Sequence, residues 1–335
     1  MILFDKRWYG DHGIGRFARM IGEGLALPAL PLLGSPSGAF DPFLLAWVLR
    51  SCNASDVFFS PGYNAPFLFR GVRLLTIHDL NHLDVPVSRS FLKTLYYELF
   101  IRLAISRAAR VLTVSEFSRQ RIVEWSGCSP EKVVNVGNGV DPAFNADVSP
   151  WQPGFSYFLC VSNRRAHKNE ERLLRAFAAA DLAPDVRLVL SGEATPELLQ
   201  LAAALGLDER LVFRGRVPET ELPSLYRGAL ALVFPSLYEG FGLPVIEAMA
   251  CGTAVITANT TSMPEVAGNA ALLVDPLSVS EIAAAMLRLH QDVLLRQELA
   301  ARGLLRAQQF SWDAVAARVR AVLDGVALIE RDAAR

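Results

Sequence analysis

The stretch that decides the fold is FPSLYEGFGLPVIEAMACGTAVI, residues 234–256. The apolar run just before it, residues 229–233, predicts a buried strand, and Pro244 suits the first turn of a helix that continues through Met249. The segment therefore predicts a strand, a loop and a helix in succession, which is the repeating unit of a parallel α/β sheet.

The predicted loop carries Glu239, Gly240 and Gly242, and the helix that follows carries a second acid, Glu247. Glycines leave backbone amides accessible at a helix N-terminus, where unpaired N–H groups and the helix dipole favour phosphate. Glu239 would face such a ligand from the loop, and Glu247 would accept hydrogen bonds from hydroxyl groups beside the phosphate. The alternative is that Glu239 is a solvated loop acid and Glu247 a helix-surface residue.

Short apolar runs alternate with longer helical patterns along the whole chain, which predicts parallel sheets with helical crossovers. A proline-rich stretch, residues 141–155, divides the runs into two sets and is interpreted as a linker. We expect two Rossmann-like domains, residues 1–145 and 151–310, whose sheets face a common cleft. A final helix, residues 311–335 with Ser311 as its N-cap, is expected to pack back on the first domain.

Composition narrows the class of protein. The chain has 335 residues, 33 basic and 34 acidic side chains, and a net charge of -1, which gives no general affinity for nucleic acid. The cysteines lie far apart without CxxC pairing and are interpreted as small buried residues in a reducing compartment: Cys52, Cys128, Cys160 and Cys251. No apolar run is long enough for a signal peptide or a membrane span, which predicts a cytoplasmic protein.

A second candidate site follows the predicted strand that ends near Ser162. The cations Arg164, Arg165, His167 and Lys168 come directly before a helix that is expected to start near Asn169. Several cations at the carboxyl end of a strand would stabilise a leaving diphosphate, which an arginine can bind through two hydrogen bonds. The alternative is a solvated basic loop.

Two weaker candidates lie in the first domain. Gly13 and Gly15 precede a helical pattern and would bring backbone amides close to a ligand, although their spacing is not that of a dinucleotide fingerprint. His78 and Asp79 end a strand-like run, so His78 would hydrogen-bond a sugar hydroxyl and Asp79 would orient it. A metal site that also uses His82 is the alternative.

Taken together, these stretches resemble the retaining glycosyltransferases of the GT-B fold, and among them family 4 (GT4). EGFGLPVIE carries that family's pair of acids with seven residues between them, and GIGRF, IHDL, VSEFSR, NGVD and HKN occur in the family's order. The resemblance implies a nucleotide-sugar donor held mainly by the C-terminal domain and an acceptor held mainly by the N-terminal one. It implies no obligatory metal or other cofactor.

The resemblance also implies roles for single residues. Glu247 would bind the ribose hydroxyls and Glu239 the hydroxyls of the donor sugar, while Lys168 and Arg164, or Arg165 in its place, would bind the diphosphate. The backbone amides that would approach the donor belong to Gly13, Gly15, Gly240, Phe241, Gly242 and Leu243, and His78 would assist catalysis. Retention is expected to proceed by front-face attack, so no nucleophile is assigned.

Substrate and location follow less directly. SMPEVAGNAALLVDP is similar to the matching stretch of bacterial mannosyltransferases, which implies GDP-mannose as donor and a glycan or polyprenyl-diphosphate-linked acceptor in surface polysaccharide or lipopolysaccharide assembly. Residues 88–112 combine aromatic side chains with Arg89, Lys93, Arg102, Arg107 and Arg110, which would suit a peripheral contact with the inner face of the membrane. The alternative for this stretch is a domain helix packed on its sheet.

The alternatives for the function of the whole chain are a catalytically silent nucleotide-sugar-binding protein and a sugar-nucleotide epimerase.

Overall fold

The computed structural model describes the backbone of residues 1–85 and 91–333, and the side chains of these residues except 91, 93 and 327–333. The chain divides into two compact units. The first unit is Met1–Gly139 together with the C-terminal segment that starts at Ser311, and the second unit is Val140–Phe310.

Each unit contains one sheet in which all strand pairs are parallel. The strands are β1 Ile2–Phe4, β2 Val57–Ser60, β3 Val72–Thr76, β4 Arg110–Thr113, β5 Val133–Asn135, β6 Tyr157–Cys160, β7 Arg187–Leu190, β8 Leu211–Phe213, β9 Ala231–Phe234, β10 Ala254–Ala258 and β11 Leu272–Val274. The first sheet has the sequential order β1-β2-β3-β4-β5, and the second has the order β11-β10-β9-β6-β7-β8. The two parallel sheets predicted from the alternating runs are confirmed.

The connections between strands are mostly helices. These are α1 Gly13–Gly24, α2 Asp41–Val48, α3 Asn81–Asp84, α4 Phe91–Tyr96, α5 Arg102–Arg107, α6 Glu116–Ser126, α7 Glu170–Ala179, α8 Pro196–Ala204, α9 Leu222–Gly228, α10 Leu243–Ala250, α11 Met263–Ala267, α12 Val279–Gln291, α13 Val293–Ala307 and α14 Trp312–Ala333. A π-helical turn, Tyr97–Ile101, joins α4 to α5, and 3-10 turns occupy Lys6–Trp8, Leu49–Ser51, Pro130–Lys132 and Ala166–Lys168.

Both sheets are covered by apolar side chains, because parallel strands are buried on both faces. All four residues of β2, β6 and β9 are buried, and so are all five of β3 and β10. In the second unit, Phe158, Phe177 and Leu190 belong to one cluster that fills the space between the sheet and its helices. Such cores hold the loops at the strand ends in fixed positions.

Local capping explains where the C-terminal helices begin and end. Ser311 Oγ accepts a hydrogen bond from the amide of Ala314 at 3.2 Å, so the predicted N-cap of α14 is confirmed. Helices α12 and α13 are separated at Asp292, which closes α12 and caps α13 by accepting from the amide of Leu295 at 2.8 Å. Helix α14 lies in the first unit, where Arg318 Nε donates to the carbonyl of Val136 at 2.7 Å.

The cysteine prediction is only half right. All four cysteines are free thiols, and Cys160 and Cys251 are buried, but Cys52 and Cys128 are only half-buried. Burial raises the pKa of the Cys160 thiol to about 12 and that of Cys251 to about 12. Cys52 follows the turn after α2 and Cys128 follows the turn after α6, and the surface positions of these turns explain the difference.

Candidate active site

The order of the second sheet reverses between β6 and β9. Strands β6, β7 and β8 extend to one side of this boundary, and β9, β10 and β11 extend to the other. In open sheets of this kind, ligands bind beyond the carboxyl ends of the strands at such a boundary, which here lies between β6 and β9. The loop that follows β6 contains Arg164 and Lys168, and the loop that follows β9 contains Glu239.

Lys168 and Glu239 meet at this boundary. The Nζ atom of Lys168 donates to Oε1 of Glu239 at 2.6 Å, and only 13% and 14% of the two side chains is exposed. The ammonium group also lies 4.9 Å from the ring centroid of Phe234, the last residue of β9. The fold thus brings together two of the residues that the sequence singled out, although 71 positions separate them in the chain.

Asn169 fixes the position of Lys168. Its backbone is left-handed, with φ of 64°, and its Nδ2 donates to the carbonyls of Pro235 at 2.9 Å and Pro276 at 2.7 Å. The amide of Leu237 in turn donates to the carbonyl of His167 at 2.8 Å. These bonds tie the loop after β6 to the loops after β9 and β11, so Lys168 stands on a rigid support. His167, predicted as a site cation, is buried.

The guanidinium of Arg164 is held by several protein groups. Its guanidinium donates to the carbonyl of Glu193 at 2.7 Å, to the carbonyl of Gly192 at 2.8 Å and to the carboxylate of Glu170. It also lies over the ring of Phe213, 5.4 Å from the centroid, and its own φ is 60°. Arg164 therefore joins the loop after β6 to the loop after β7, whereas the neighbouring Arg165 is exposed.

The loop between β9 and α10 closes against α11. Gly242 has φ of 104°, a backbone conformation that favours glycine, and a Cβ atom there would lie 2.3 Å from Cε of Met263. Ser262 Oγ lies 2.9 Å from the carbonyl oxygen of Glu239 and 3.0 Å from that of Phe241, to which it can donate. Gly240, Gly242 and Phe241 are buried, and Leu243 opens α10.

Glu247 is a buried acid of α10 and not a helix-surface residue. Only 3% of it is exposed, and Oε2 accepts a hydrogen bond from the hydroxyl of Tyr226 at 2.8 Å. Tyr226 is fully buried at α9, where the ring also packs on Phe144. The two oxygens of a carboxylate can accept several hydrogen bonds, so Glu247 can accept others besides that from Tyr226, as ribose hydroxyls would supply.

His78 lies beyond the carboxyl end of β3 in the first unit. Burial lowers its pKa to about 4, which leaves the ring neutral. With Nε2 donating to the carbonyl of Pro61 at 3.0 Å, Nδ1 is left as an acceptor for a ligand hydroxyl. The ring of Phe17 meets His78 edge-on at 5.0 Å.

The two glycines of the first unit are helical. Gly13 and Gly15 form the first turn of α1, which is capped by His12, whose Nδ1 accepts from the amide of Gly15 at 3.0 Å. A Cβ atom at Gly15 would lie 2.3 Å from the carbonyl oxygen of Gly10, so this glycine allows two backbone segments to approach closely. The expectation of a glycine loop before the helix is wrong, since the imidazole cap starts the helix earlier.

Asp79 stabilises the loop in which it lies, because Oδ1 accepts a hydrogen bond from the amide of Asn81 at 3.0 Å. Over residues 1–85 and 91–333, no group of three His, Cys, Asp or Glu side chains is placed to hold a metal ion. His78 in particular directs Nε2 to a backbone carbonyl and not toward His82.

Sequence reasoning missed a buried polar network at the carboxyl ends of β1 and β2. Arg7 bridges two buried acids, with its guanidinium 2.7 Å from Asp5 and 2.6 Å from Asp41. Asn64 donates to both acids, at 2.9 Å to Asp5 and 2.7 Å to Asp41, and accepts from Trp8 Nε1 at 2.6 Å. The network fixes the loop that follows β2.

The basic stretch of residues 88–112 is described only in part. Arg89 and the side chain of Lys93 lie outside the described residues. Arg102 is paired with Glu98 at 2.9 Å, Arg107 is exposed, and Arg110 is half-buried at the start of β4. Within the described part of the chain, no helix combines the length and the apolar character needed to cross a membrane.

Comparisons with known proteins agree with this geometry. Residues 143–306 match the family model described as glycosyl transferases group 1, and residues 9–144 match that of Glycosyltransferase Family 4. The chain is 34% identical over 301 residues to the O-antigen chain mannosyltransferase B of Escherichia coli, across 84% of this chain and 77% of that protein. It is 31% identical over 223 residues to the serotype-specific mannosyltransferase WbdA of Escherichia coli, across 62% of this chain and 27% of that longer protein.

Among solved structures, the chain is similar to HepE of Anabaena, crystallised with UDP and glucose. The TM-score is 0.80 at 20% identity, and the match covers 97% of this chain and 99% of that one. The fold is therefore that of the GT-B glycosyltransferases. Two family models that together span most of the chain, and the extensive match to a relative, show that the protein is a glycosyltransferase of family 4.

Proposed function

We propose that this glycosyltransferase moves mannose from GDP-mannose to a glycan or a polyprenyl-diphosphate-linked acceptor in bacterial surface polysaccharide assembly, with retention at the anomeric carbon. The observation that carries the proposal is the Lys168–Glu239 pair at the point where the order of the second sheet reverses. The two Escherichia coli relatives are mannosyltransferases, which supports mannose as the transferred sugar.

In the proposed reaction, the bond between the anomeric carbon and the diphosphate oxygen breaks while a bond to the acceptor oxygen forms on the same face. The proton of the acceptor hydroxyl passes to the departing phosphate oxygen. Negative charge grows on the diphosphate in this transition state, so fixed positive charge beside it lowers the barrier. Lys168 supplies that charge, and the N-terminus of α10 adds the amides and the helix dipole.

The two glutamates divide the donor between them. Glu247 is buried and rigid, which suits the ribose hydroxyls, since these do not change during the reaction. Glu239 belongs to a loop held by Ser262 and shares the ammonium of Lys168, which suits the hydroxyls of the transferred sugar. The positive charge of Lys168 then lies beside two negative groups, the Glu239 carboxylate and the diphosphate.

No metal is needed in this proposal, because Lys168 and the α10 amides supply the charge stabilisation that a divalent ion gives in other transferases. The rate of sugar transfer should then be unchanged in excess EDTA. A requirement for a divalent ion that EDTA removes and added metal restores would overturn this part.

We further propose a peripheral contact with the inner face of the membrane, where a lipid-linked acceptor would be found. The support is the exposed Arg107 among the aromatic and aliphatic side chains of residues 94–107. The contact concerns the first unit and is independent of the identity of the donor.

The donor can be tested with the full chain. A ligand that binds only the folded protein raises the melting temperature by mass action. GDP and GDP-mannose should raise the melting temperature, whereas UDP, ADP and UDP-glucose should not. Mass spectrometry of a mannose-terminated acceptor incubated with GDP-mannose should then show a gain of one hexose. A rise in melting temperature with UDP alone would contradict GDP-mannose as the donor. Binding without transfer would favour a silent sugar-nucleotide-binding protein.

A further inference from the structure

The second unit contains a cavity that the proposed transfer reaction does not use. It is lined by the loop after β6, by the first turns of α7 and by the start of α8, and its volume is about 490 Å³. Sites for small molecules typically measure roughly 300–1,000 Å³, and one water molecule takes up only about 30 Å³. The cavity is therefore large enough for a small organic ligand.

The cavity is separate from the residues that are assigned to the donor. Among the residues that the structure describes, its lining does not include Lys168, Glu239 or Glu247. Helix α7 packs on α8 and α12, whereas α10, which carries Glu247, packs on α9, α11 and α13. The cavity thus lies among a different group of helices from the carboxylate that is proposed to bind ribose.

Besides Arg164, three arginines line the cavity. Arg165 lies in the loop after β6, and Arg172 and Arg175 stand three positions apart on α7, so they share one face of that helix. Over residues 1–85 and 91–333, none of these three forms an ion pair with a carboxylate, whereas Arg164 is paired with Glu170. Like charges that lack a counter-ion repel one another, so an anion beside them is favourable.

The guanidiniums on α7 keep hydrogen-bond donors for a ligand. Arg172 is half-buried and donates to Oδ1 of Asn169, but a guanidinium carries several further N–H donors. Arg175 is exposed. Glu171 precedes it by one helical turn, yet within the described part of the chain the two side chains form no ion pair. Arg172 and Arg175 can therefore bind one anion together.

The start of α8 gives the cavity a second kind of lining. Thr195 caps this helix, with Oγ1 accepting from the amide of Leu198 at 3.3 Å, and Glu197 follows as an exposed carboxylate. Glu171 adds a carboxylate from α7, and Leu198 and Leu237 add apolar surface. Carboxylates accept hydrogen bonds from hydroxyl groups and repel anions. The lining therefore suits a ligand with an anionic end and a body that carries hydroxyl groups.

One wall of the cavity is held in place by the protein itself. Asn169 and Glu170 line it and are only 7% and 8% exposed. The side chain of Asn169 donates to the carbonyls of Pro235 and Pro276, and Glu170 accepts from Arg164. A wall that is fixed before the ligand arrives reduces the entropy lost on binding.

We infer that this cavity binds a phosphorylated sugar. The phosphate lies at Arg172 and Arg175, with Arg165 at the loop, because guanidiniums bind phosphate oxygens through paired, charge-assisted hydrogen bonds. The sugar hydroxyls donate to Glu171 and Glu197. Binding is reversible and no covalent bond changes. The site goes beyond the proposed transfer reaction and is independent of which sugar nucleotide is the donor.

The test titrates the full chain with glucose 6-phosphate, inorganic phosphate and glucose in a calorimeter. Glucose 6-phosphate should bind most tightly, and inorganic phosphate about tenfold more weakly, because it lacks the hydroxyl groups. Glucose should give no measurable binding, since it lacks the anion. Equal affinities for glucose 6-phosphate and inorganic phosphate, or no binding of either, would overturn the inference.

Arg175→Gln should weaken glucose 6-phosphate about tenfold, the equivalent of about 1.4 kcal/mol. The matched control is Arg288→Gln, which removes an exposed arginine of α12 that does not line the cavity. It should change the affinity less than about twofold, because salt screens distant charges. Equal losses for the two variants would show a general attraction between charges and would overturn the site.

Two further variants locate the ligand. Glu197→Ala should weaken glucose 6-phosphate about threefold without weakening inorganic phosphate, since only the sugar has hydroxyls to donate. Lys168→Ala should change the affinity for glucose 6-phosphate less than about twofold. A large loss in Lys168→Ala without a loss in Arg175→Gln would move the ligand to the diphosphate position of the donor site and overturn the second site.

Transfer from the sugar nucleotide is measured separately, with no glucose 6-phosphate present. Arg175→Gln should transfer at the rate of the unmodified protein, because Arg175 has no part in the proposed reaction. Absence of transfer by the unmodified protein would contradict the proposed function and leave the sugar-phosphate site standing. Absence of glucose 6-phosphate binding would remove the site and leave the transferase intact.

Discussion

The Nζ atom of Lys168 lies 2.6 Å from Oε1 of Glu239, and both groups are largely shielded from water. A buried ion pair is worth less than its Coulomb energy suggests, because desolvation costs about as much as the pairing returns. The pair is therefore better understood as a prepared arrangement of charge, in which the ammonium stands where the order of the sheet places ligands.

Lys168→Ala should lower kcat/KM about a hundredfold or more, if the lost charge interaction with the leaving diphosphate is worth roughly 3 kcal/mol. The substitution also leaves the Glu239 carboxylate unpaired, so the double variant Lys168→Ala, Glu239→Ala serves as the control. Steady-state transfer kinetics on the unmodified protein and both variants would measure this. Near-normal turnover of the single variant would exclude Lys168 from the reaction.

Arg164 and the adjacent Arg165 should respond differently to replacement by alanine. Arg164→Ala removes the cation that Glu170 faces and two hydrogen bonds to backbone carbonyls, so the free energy of unfolding should fall by roughly 2–4 kcal/mol. In a unit of this size the melting temperature should then drop by about 5–10 °C. Differential scanning calorimetry would show the drop.

Arg165→Ala should shift the melting temperature by less than about 1 °C, because its exposed side chain contributes little to stability. A loss of transfer by this variant without a loss of stability would assign the diphosphate to Arg165. A stable Arg164→Ala variant with reduced transfer would assign it to Arg164.

The sequence predicted the sheets well and the contacts inside the site less well. Each strand is an apolar run bounded by polar residues, and such runs are visible locally because parallel strands are buried on both faces. The partners of Arg164 are backbone carbonyls of Gly192 and Glu193, which have no side-chain signature. The bonds from Asn169 to Pro235 and Pro276 span 66 and 107 positions, so only the folded sheet brings them together.

Stability should fall in acid through His78. The folded-state pKa of about 4 lies below the ordinary value of 6.5, so the unfolded chain takes up the proton first. The contribution of neutral His78 is thus complete above pH 6.5 and is lost as the pH falls toward 4. Between pH 7 and pH 4.5 the loss should amount to about 2 kcal/mol relative to His78→Gln. Urea unfolding at both pH values would measure this, and parallel profiles for the two proteins would contradict it.

Gly242→Ala should destabilise the second unit by roughly 2–4 kcal/mol. Two effects contribute, the left-handed backbone with φ of 104° and the overlap of the new methyl group with Cε of Met263. Adding Met263→Ala removes the overlap and leaves the backbone strain, so the double variant should be less destabilised than the sum of the single changes. Strict additivity in chemical denaturation would show that the overlap is relieved without cost.

Replacing Glu239 and replacing Glu247 should have different effects on nucleotide binding. If Glu247 holds the ribose and Glu239 the transferred sugar, Glu247→Ala should weaken both GDP and GDP-mannose, whereas Glu239→Ala should weaken GDP-mannose and spare GDP. A carboxylate that accepts sugar hydroxyls contributes about 1–3 kcal/mol, so calorimetry should show a difference of roughly tenfold for GDP.

Tyr226→Phe provides the matched control for Glu247. Removing the hydroxyl that donates to Oε2 at 2.8 Å should weaken GDP by about 0.5–1.5 kcal/mol in the unmodified background. It should have no further effect once Glu247 is alanine, because the group that it orients is then absent. If Glu239→Ala and Glu247→Ala weaken GDP equally, or if Tyr226→Phe acts independently of Glu247, the division of the donor between the two acids is wrong.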